Sequence, residues 1–447
     1  MDVRNRVWRA AAAAAAGALL LAACGDADDG ADATEVDDAG ATEEEAVEEA
    51  DDHDDDHDDD HGHGSDGDAM AAETEEVPDP QPRLVVADAE APVVHVVDLA
   101  TEEVLASFDT AAPGAALYLG SEHRVVAAVQ HGADTVQFIE PGTWAVGHGD
   151  HNHYYIDPPR LLDARLDTGT PIHTTADFGR FAIFGDDEGA GFLIDELALL
   201  EHTDIDGEVV ETDTPHHGGI VQLSEELTVI SGPADGQDGG LADEVWILHD
   251  GERVGEYECP GLHGEMRGAD WTAFACADRV LLLEAHGDHA HGREVFYPEE
   301  LGEEFRLGYL RTAEDSNVFV SSRDDKLAFI DADAAVLTIV DLPTETATRA
   351  TVDDDGNVLV LTDDGVLHLF DLDTAELVVS SGESVTIDDH EDAARFSIVG
   401  GRDRAYVPSP SEGVVHEFAT NDDLRLARTM ELGGAPANLV FVGAWPR

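Results

Sequence analysis

From residue 82 onward apolar residues alternate with polar ones at a period of two, in short β-branched runs punctuated by Asp and Gly. No long stretch follows the 3.6-residue period of a helix. Arg83-Leu-Val-Val-Ala-Asp, Val93-Val-His-Val-Val-Asp and Val104-Leu-Ala-Ser-Phe predict three consecutive strands. The same three-beat unit returns at 358–380 (VLVLTDD, VLHLFDLD, ELVVSS) and at 405–432 (AYVPSP, VVHEFATND, LARTMEL). A further apolar run precedes each triplet. Repeats begin near 111, 169, 214, 259, 304, 344 and 386, and the N-terminal triplet makes eight. Residues 83–447 then divide into units of about 46, the length of a four-stranded propeller blade. The first triplet lacks an inner strand, and 433–443 (GGAPANLVFVG) is an inner strand without a triplet. Pairing the two would close a ring and remove its open edges. The expected fold is all-β, a single β-propeller spanning 83–447. Eight blades are favoured, and seven stay open because the boundaries blur between 300 and 345.

The N-terminus follows a different rule. Arg4, Arg6 and Arg9 precede an Ala/Leu run of some 14 residues, too short to cross a bilayer, and then Leu21-Ala22-Ala23-Cys24. The pattern resembles a bacterial lipobox. That resemblance implies a lipoprotein signal peptide over 1–23, cleavage before Cys24 and acylation of that residue. The product would be exported and anchored by lipid alone to the outer face of the cytoplasmic membrane. Residues 25–82 carry 26 Asp and Glu and no Lys or Arg. Such a segment cannot bury enough apolar surface to fold, so 24–82 is expected to be a disordered tether. The chain of 447 residues has a formal net charge of −76 and a single lysine, Lys326. That balance excludes nucleic acid as a partner. With Cys24 assigned to lipid, Cys259 and Cys276 remain, 17 apart, and an exported protein would oxidise them to a disulfide.

Histidines supply the candidate chemistry. Three successive repeats open with TPIHTTADFGRFAIFG (170–185), TPHHGGIVQLSEELTVISG (214–232) and CPGLHGEMRGADWTAFAC (259–276). His173, His217 and His263 are 44 and 46 residues apart, one blade each, so they would face one axis at one depth. Three neutral imidazoles are a suitable set for Zn²⁺. His216 is the alternative to His217, Glu265 is a candidate ligand or support, and Asp177 is a weaker support. Without a metal, the same three would be channel histidines bonded to water and backbone. Two near-identical clusters, HGDHNH (His148, His151, His153) and HGDHAH (His286, His289, His291), lie between the third and fourth strands of their blades. That places them on the face opposite the inner-strand starts, as weaker sites or as solvated loops. The leader DDHDDDHDDDHGHG adds His53, His57, His61 and His63, a loose collecting arm at most. No nucleophile elbow, phosphate loop or His-Glu-x-x-His motif is present, and no enzyme activity is expected.

The order of these motifs, with an acidic His-rich leader ahead of HGDHNHYY, TPIHTT, TPHHGG and CPGLHGE, resembles the periplasmic zinc metallochaperones of the AztD type. CPGLHGE with its downstream Cys276 is the most specific piece. The resemblance implies zinc as the bound ion, with His173, His217 and His263 as ligands and the 148–153 motif and leader assisting. It also implies transfer to the solute-binding protein of an ABC zinc importer; the protein is expected to be a monomer. The lipobox and the extreme acidity depart from that pattern. They suggest a tethered protein, whose 58-residue leader spans roughly 40 Å. A metal-dependent lactonase-type hydrolase and a surface interaction or adhesion lipoprotein with incidental histidines remain as rival readings.

Overall fold

The computed structural model describes residues 74–443, apart from 149–150, 206, 213, 235–238, 303, 354 and 388–395. The calls on 1–23, Cys24 and the leader histidines His53, His57, His61 and His63 therefore lie outside the described residues.

Strand is the rule and helix the exception. Eight antiparallel sheets follow one another along the chain as blades of a β-propeller. The blade that closes the ring combines both ends of the chain. Pro436–Val442 pairs antiparallel with Arg83–Asp88, with Arg83 opposite Val442 and Val85 opposite Val440. Val93–Asp98 and Val104–Asp109 complete that sheet. The next blades begin with the inner strands Ala116–Leu119, Pro171–Asp177, Ile220–Gln222 and Glu265–Arg267, and the last two with Thr351–Val352 and Val399–Gly401.

One blade is irregular. Val318–Arg323, Lys326–Asp331 and Val336–Asp341 form a sheet of three. Its inner strand shrinks to a single bridge between Arg311 and Val320, closed by hydrogen bonds of 2.9 and 2.7 Å. This is why the repeat boundary blurs near residue 300. A segment making one bridge needs no alternating pattern, so the sequence carries none.

Burial explains the pattern within a blade. The second strands lie between neighbouring sheets: all six residues of Arg83–Asp88 and all five of Trp271–Ala275 are buried. They read as continuous apolar runs because both faces are covered. Outer strands alternate, as in Arg160–Asp167, where Leu162, Ala164 and Leu166 are buried and the intervening residues face solvent. Each fully buried Val or Leu contributes about 1.5–3 kcal/mol. Aspartates shape the turns: Asp98 Oδ1 accepts from the backbone N–H of Ala100 and Thr101, and Asp371 Oδ1 from that of Thr374.

Ordered structure begins earlier than the pattern predicts. Glu75–Val77, inside the stretch assigned to the tether, is a strand. It pairs with His151–Ile156, which forms a hairpin with Thr143–His148. The HGDHNH motif thus includes the end of one strand and the start of the next in an extra hairpin inserted before the outer strand Arg160–Asp167, in a separate three-stranded sheet. Tyr155 stacks on Trp144 at 5.6 Å, and the Arg124 guanidinium lies 3.9 Å from the Trp144 ring. Cys259 and Cys276 form a disulfide with a Cα–Cα distance of 5.0 Å.

Candidate metal centre

The starts of three inner strands bring His173, His217 and His263 together. Their ring centroids are 5.0, 5.1 and 5.9 Å apart. His173 sits within the strand Pro171–Asp177. His217 lies just before its strand, its N–H donating to Gly240 O at 2.8 Å. His263 is held by its N–H on Ala275 O and by the Ala275 N–H on Gly264 O. Gly264 has φ +141°, and a Cβ there would come within 2.7 Å of Gly308 O, so only glycine lets the chain turn from His263 into Glu265.

Each ring is oriented through Nδ1. His173 Nδ1 lies 3.1 Å from Glu265 Oε1, His217 Nδ1 2.7 Å from Asp186 Oδ2, and His263 Nδ1 3.1 Å from Gly308 O. Carboxylates and carbonyls only accept, so Nδ1 carries the proton on all three rings and Nε2 keeps a lone pair. The Nε2 atoms of His173 and His217 are 3.3 Å apart. Two nitrogens on one tetrahedral zinc, each at about 2.0–2.1 Å, would be separated by about 3.3 Å, with ring centroids about 5 Å apart. The arrangement fits zinc on that test. Two buried carboxylate oxygens here, Glu265 Oε2 and Asp186 Oδ1, have no hydrogen-bond partner among the described residues. A cation offsets such uncompensated charge. Even so, no group of three or more His, Cys, Asp or Glu among the described residues is placed so that it could hold a metal ion as it stands. His263, the most distant ring, has to approach.

Electrostatics differ ring by ring. Burial opposes a proton on His173, but the charge and hydrogen bond of Glu265 outweigh it and raise its pKa above the ordinary value. Burial lowers the pKa of His263. Gly219 keeps room for Glu265: a Cβ there would lie 2.7 Å from the carboxyl carbon. This is one reason TPHHGG ends in glycine.

The remaining candidates fall elsewhere. His216 is buried, with Nδ1 on Thr214 O at 2.8 Å and Nε2 on Ser231 Oγ at 2.7 Å, so both nitrogens are engaged away from the cluster. Glu265 turns Oε1 to a ring nitrogen, which makes it a support for His173. Asp177 lies near the far end of its strand, 4.0 Å from Arg267. Burial raises its pKa to about 6, against the opposing charge of Arg267.

The hairpin clusters have their own order. His148 pairs across the backbone with His151. His151 Nε2 is 3.1 Å from His153 Nε2, and His153 Nδ1 is 2.6 Å from Glu76 Oε1. In the second cluster His286 and His289 face each other across a tight turn. His291 lies 4.6 Å from His286 and 5.1 Å from His289 between ring centroids. Since Phe274 pairs with both Glu265 and Leu281, this turn is five residues further along the strand, about 17 Å from the Glu265 end. It does not join the three channel histidines.

Sequence reading missed Asp186 and Gly308. Asp186 follows the strand Arg180–Gly185 and is one of 99 acidic residues, and a backbone carbonyl has no sequence signature.

No family model matches the chain. Over 375 residues it is 28% identical to the zinc chaperone AztD of Citrobacter koseri, covering 81% of this chain and 86% of that protein. The solved structure of apo AztD from Citrobacter koseri superposes with a TM-score of 0.73 at 25% identity, over 81% of this chain and 98% of that one. A second crystal structure of Citrobacter koseri AztD gives 0.75 at 26% identity with the same coverage. The resemblance carried by the motifs is borne out across the whole fold.

Proposed function

We propose that this chain, similar to the zinc chaperone AztD in sequence and fold, is itself a zinc-binding metallochaperone with its tight site at His173, His217 and His263. The observation that carries the reading is the shared tautomer: three Nδ1–H groups tied back and the free Nε2 atoms of two rings at the separation zinc requires. Zinc is the cargo. His173 and His217 present Nε2 on rings fixed by Glu265 and Asp186, and His263 closes on the ion as the third ligand. Three protein ligands leave a fourth position open, and an incoming donor can attack there without prior loss of a ligand. That is the geometry ligand exchange needs. No hydrolytic role is proposed.

On this reading the 148–153 and 286–291 clusters and the leader histidines are weaker sites, and Cys24 carries the lipid anchor. The recipient is the solute-binding protein of an ABC zinc importer outside the cytoplasmic membrane, met by a monomer. Two measurements test it. Chelator competition on the full chain should show one tightest zinc site, lost when His173, His217 and His263 are all changed to Ala. Intact affinity in that variant refutes the site. Zinc should pass to an apo solute-binding protein faster than it dissociates into free chelator. Equal rates would rule out direct exchange.

A further inference from the structure

Of the 23 basic residues in the chain, most that are described pair with carboxylates. Arg124 and Arg160 share Glu140, and Arg404 and Arg428 share Glu417. Arg311 and Arg349, electrostatic neighbours of Glu265 and His173 respectively, are among those that do not. Arg311 and Arg349 both lie on the ring of Tyr309, with guanidinium carbons 3.7 and 4.3 Å from its centroid. The Arg311 guanidinium makes one hydrogen bond among the described residues, to Leu310 O at 3.0 Å. Among the described residues neither guanidinium has a carboxylate within 4.0 Å. In a chain with 99 acidic residues, two like charges gathered on one aromatic ring are an exception that calls for a counter-ion.

Their place is fixed by the chain. Tyr309 follows Gly308, the residue whose carbonyl holds His263 Nδ1. Arg311 forms the single inner bridge of the irregular blade. Burial lowers the pKa of Arg311 to about 10, which leaves it cationic at neutral pH. Tyr118 is an electrostatic neighbour of both arginines and of Glu265, and burial raises its pKa, so its hydroxyl stays a donor.

We propose that Arg311 and Arg349, stacked on Tyr309, bind a small oxyanion, a carboxylate or phosphate, beside the three histidines. A guanidinium offers paired N–H donors that match either anion, and stacking on an aromatic ring holds its plane. Charge balance links the anion to the metal. Zinc would add two positive charges close to Arg311, whose one carboxylate electrostatic neighbour is Glu265. The anion therefore binds more tightly with zinc present, next to its open fourth position. This coupling rests on the zinc reading above; the anion site itself does not.

The test is NMR line broadening of ¹³C-labelled acetate, and separately of inorganic phosphate by ³¹P, with the full chain. Metal-free protein should broaden at least one of the two signals, and competition between them identifies the preferred class. Arg349→Gln, at an exposed position, should lose most of the broadening. Arg349→Lys should recover part of it. One equivalent of zinc should strengthen anion binding severalfold. No broadening by the wild type, or equal broadening by Arg349→Gln, overturns the proposal. Arginine-dependent broadening that zinc leaves unchanged supports the anion site and overturns its coupling to zinc, while zinc binding at the histidines is read separately by the chelator competition.

Discussion

Imidazoles are common, and their partners decide which of them bind metal. His173 and His216 show the contrast. Both are largely enclosed, yet His216 has each nitrogen bonded to Thr214 or Ser231, while His173 has Nδ1 on Glu265 and Nε2 facing His217. Glu265 should therefore matter without touching zinc. Glu265→Gln is expected to weaken zinc binding by roughly 10–100-fold, the usual effect of losing such a support. Chelator competition measures it, and unchanged affinity would mean Glu265 does not orient the ring. The pH response follows from the sign of one shift. Glu265 raises the pKa of His173, so protons compete with zinc at higher pH than for an ordinary imidazole. Affinity should start to fall as pH drops from above about 6.5. In Glu265→Gln that onset should move to lower pH. The three clustered histidines were legible because blade spacing repeats. Their partners were not, since Asp186 is one acid among many and Gly308 acts through its backbone.

At the scale of elements, the segment from Cys259 to Cys276 is the most constrained piece of the site. It carries His263 and Glu265, passes through a glycine at φ +141°, and is tied at both ends by the disulfide. Changing both cysteines to Ser should cost about 3 kcal/mol in denaturant unfolding, from the entropy of a loop this size. It should also lower zinc affinity, because His263 loses its anchor. Stability lost with affinity intact would separate the two roles. Hairpins tell a different story. HGDHNH and HGDHAH look alike, yet the first is an added hairpin paired to Glu75–Val77 and the second is the tip of a blade. Alternation alone could not distinguish them, because both are strand, turn, strand. Replacing His286, His289 and His291 with Ala should remove weakly held zinc and leave the tightest site unchanged, by metal analysis across a titration. Loss of the tight site would relocate it to this turn.

For the whole molecule, ring closure is the decisive contact. Pro436–Val442 joins Arg83–Asp88 from the far end of the chain. Truncation after residue 434 would leave a buried strand as an open edge and uncover Leu84, Val85 and Val86. That variant should aggregate or elute as oligomers on size exclusion, and a stable monomer would show that the other blades suffice. Period-two alternation, the turn aspartates and the repeat of about 46 residues determined a propeller by themselves, because they act locally in every blade. The missing inner strand at one terminus and the surplus one at the other already implied how the ring closes. Histidines at one register implied a shared axis. Tertiary structure alone decided which nitrogen each histidine presents, that Glu265 supports and His216 stands aside, and that two arginines without carboxylate partners lie beside the site. Those outcomes depend on side-chain contacts that range from within one blade length, as for His216 with Ser231, to two, as for His173 with Glu265, where a shift of an ångström changes a partner and no sequence period records it.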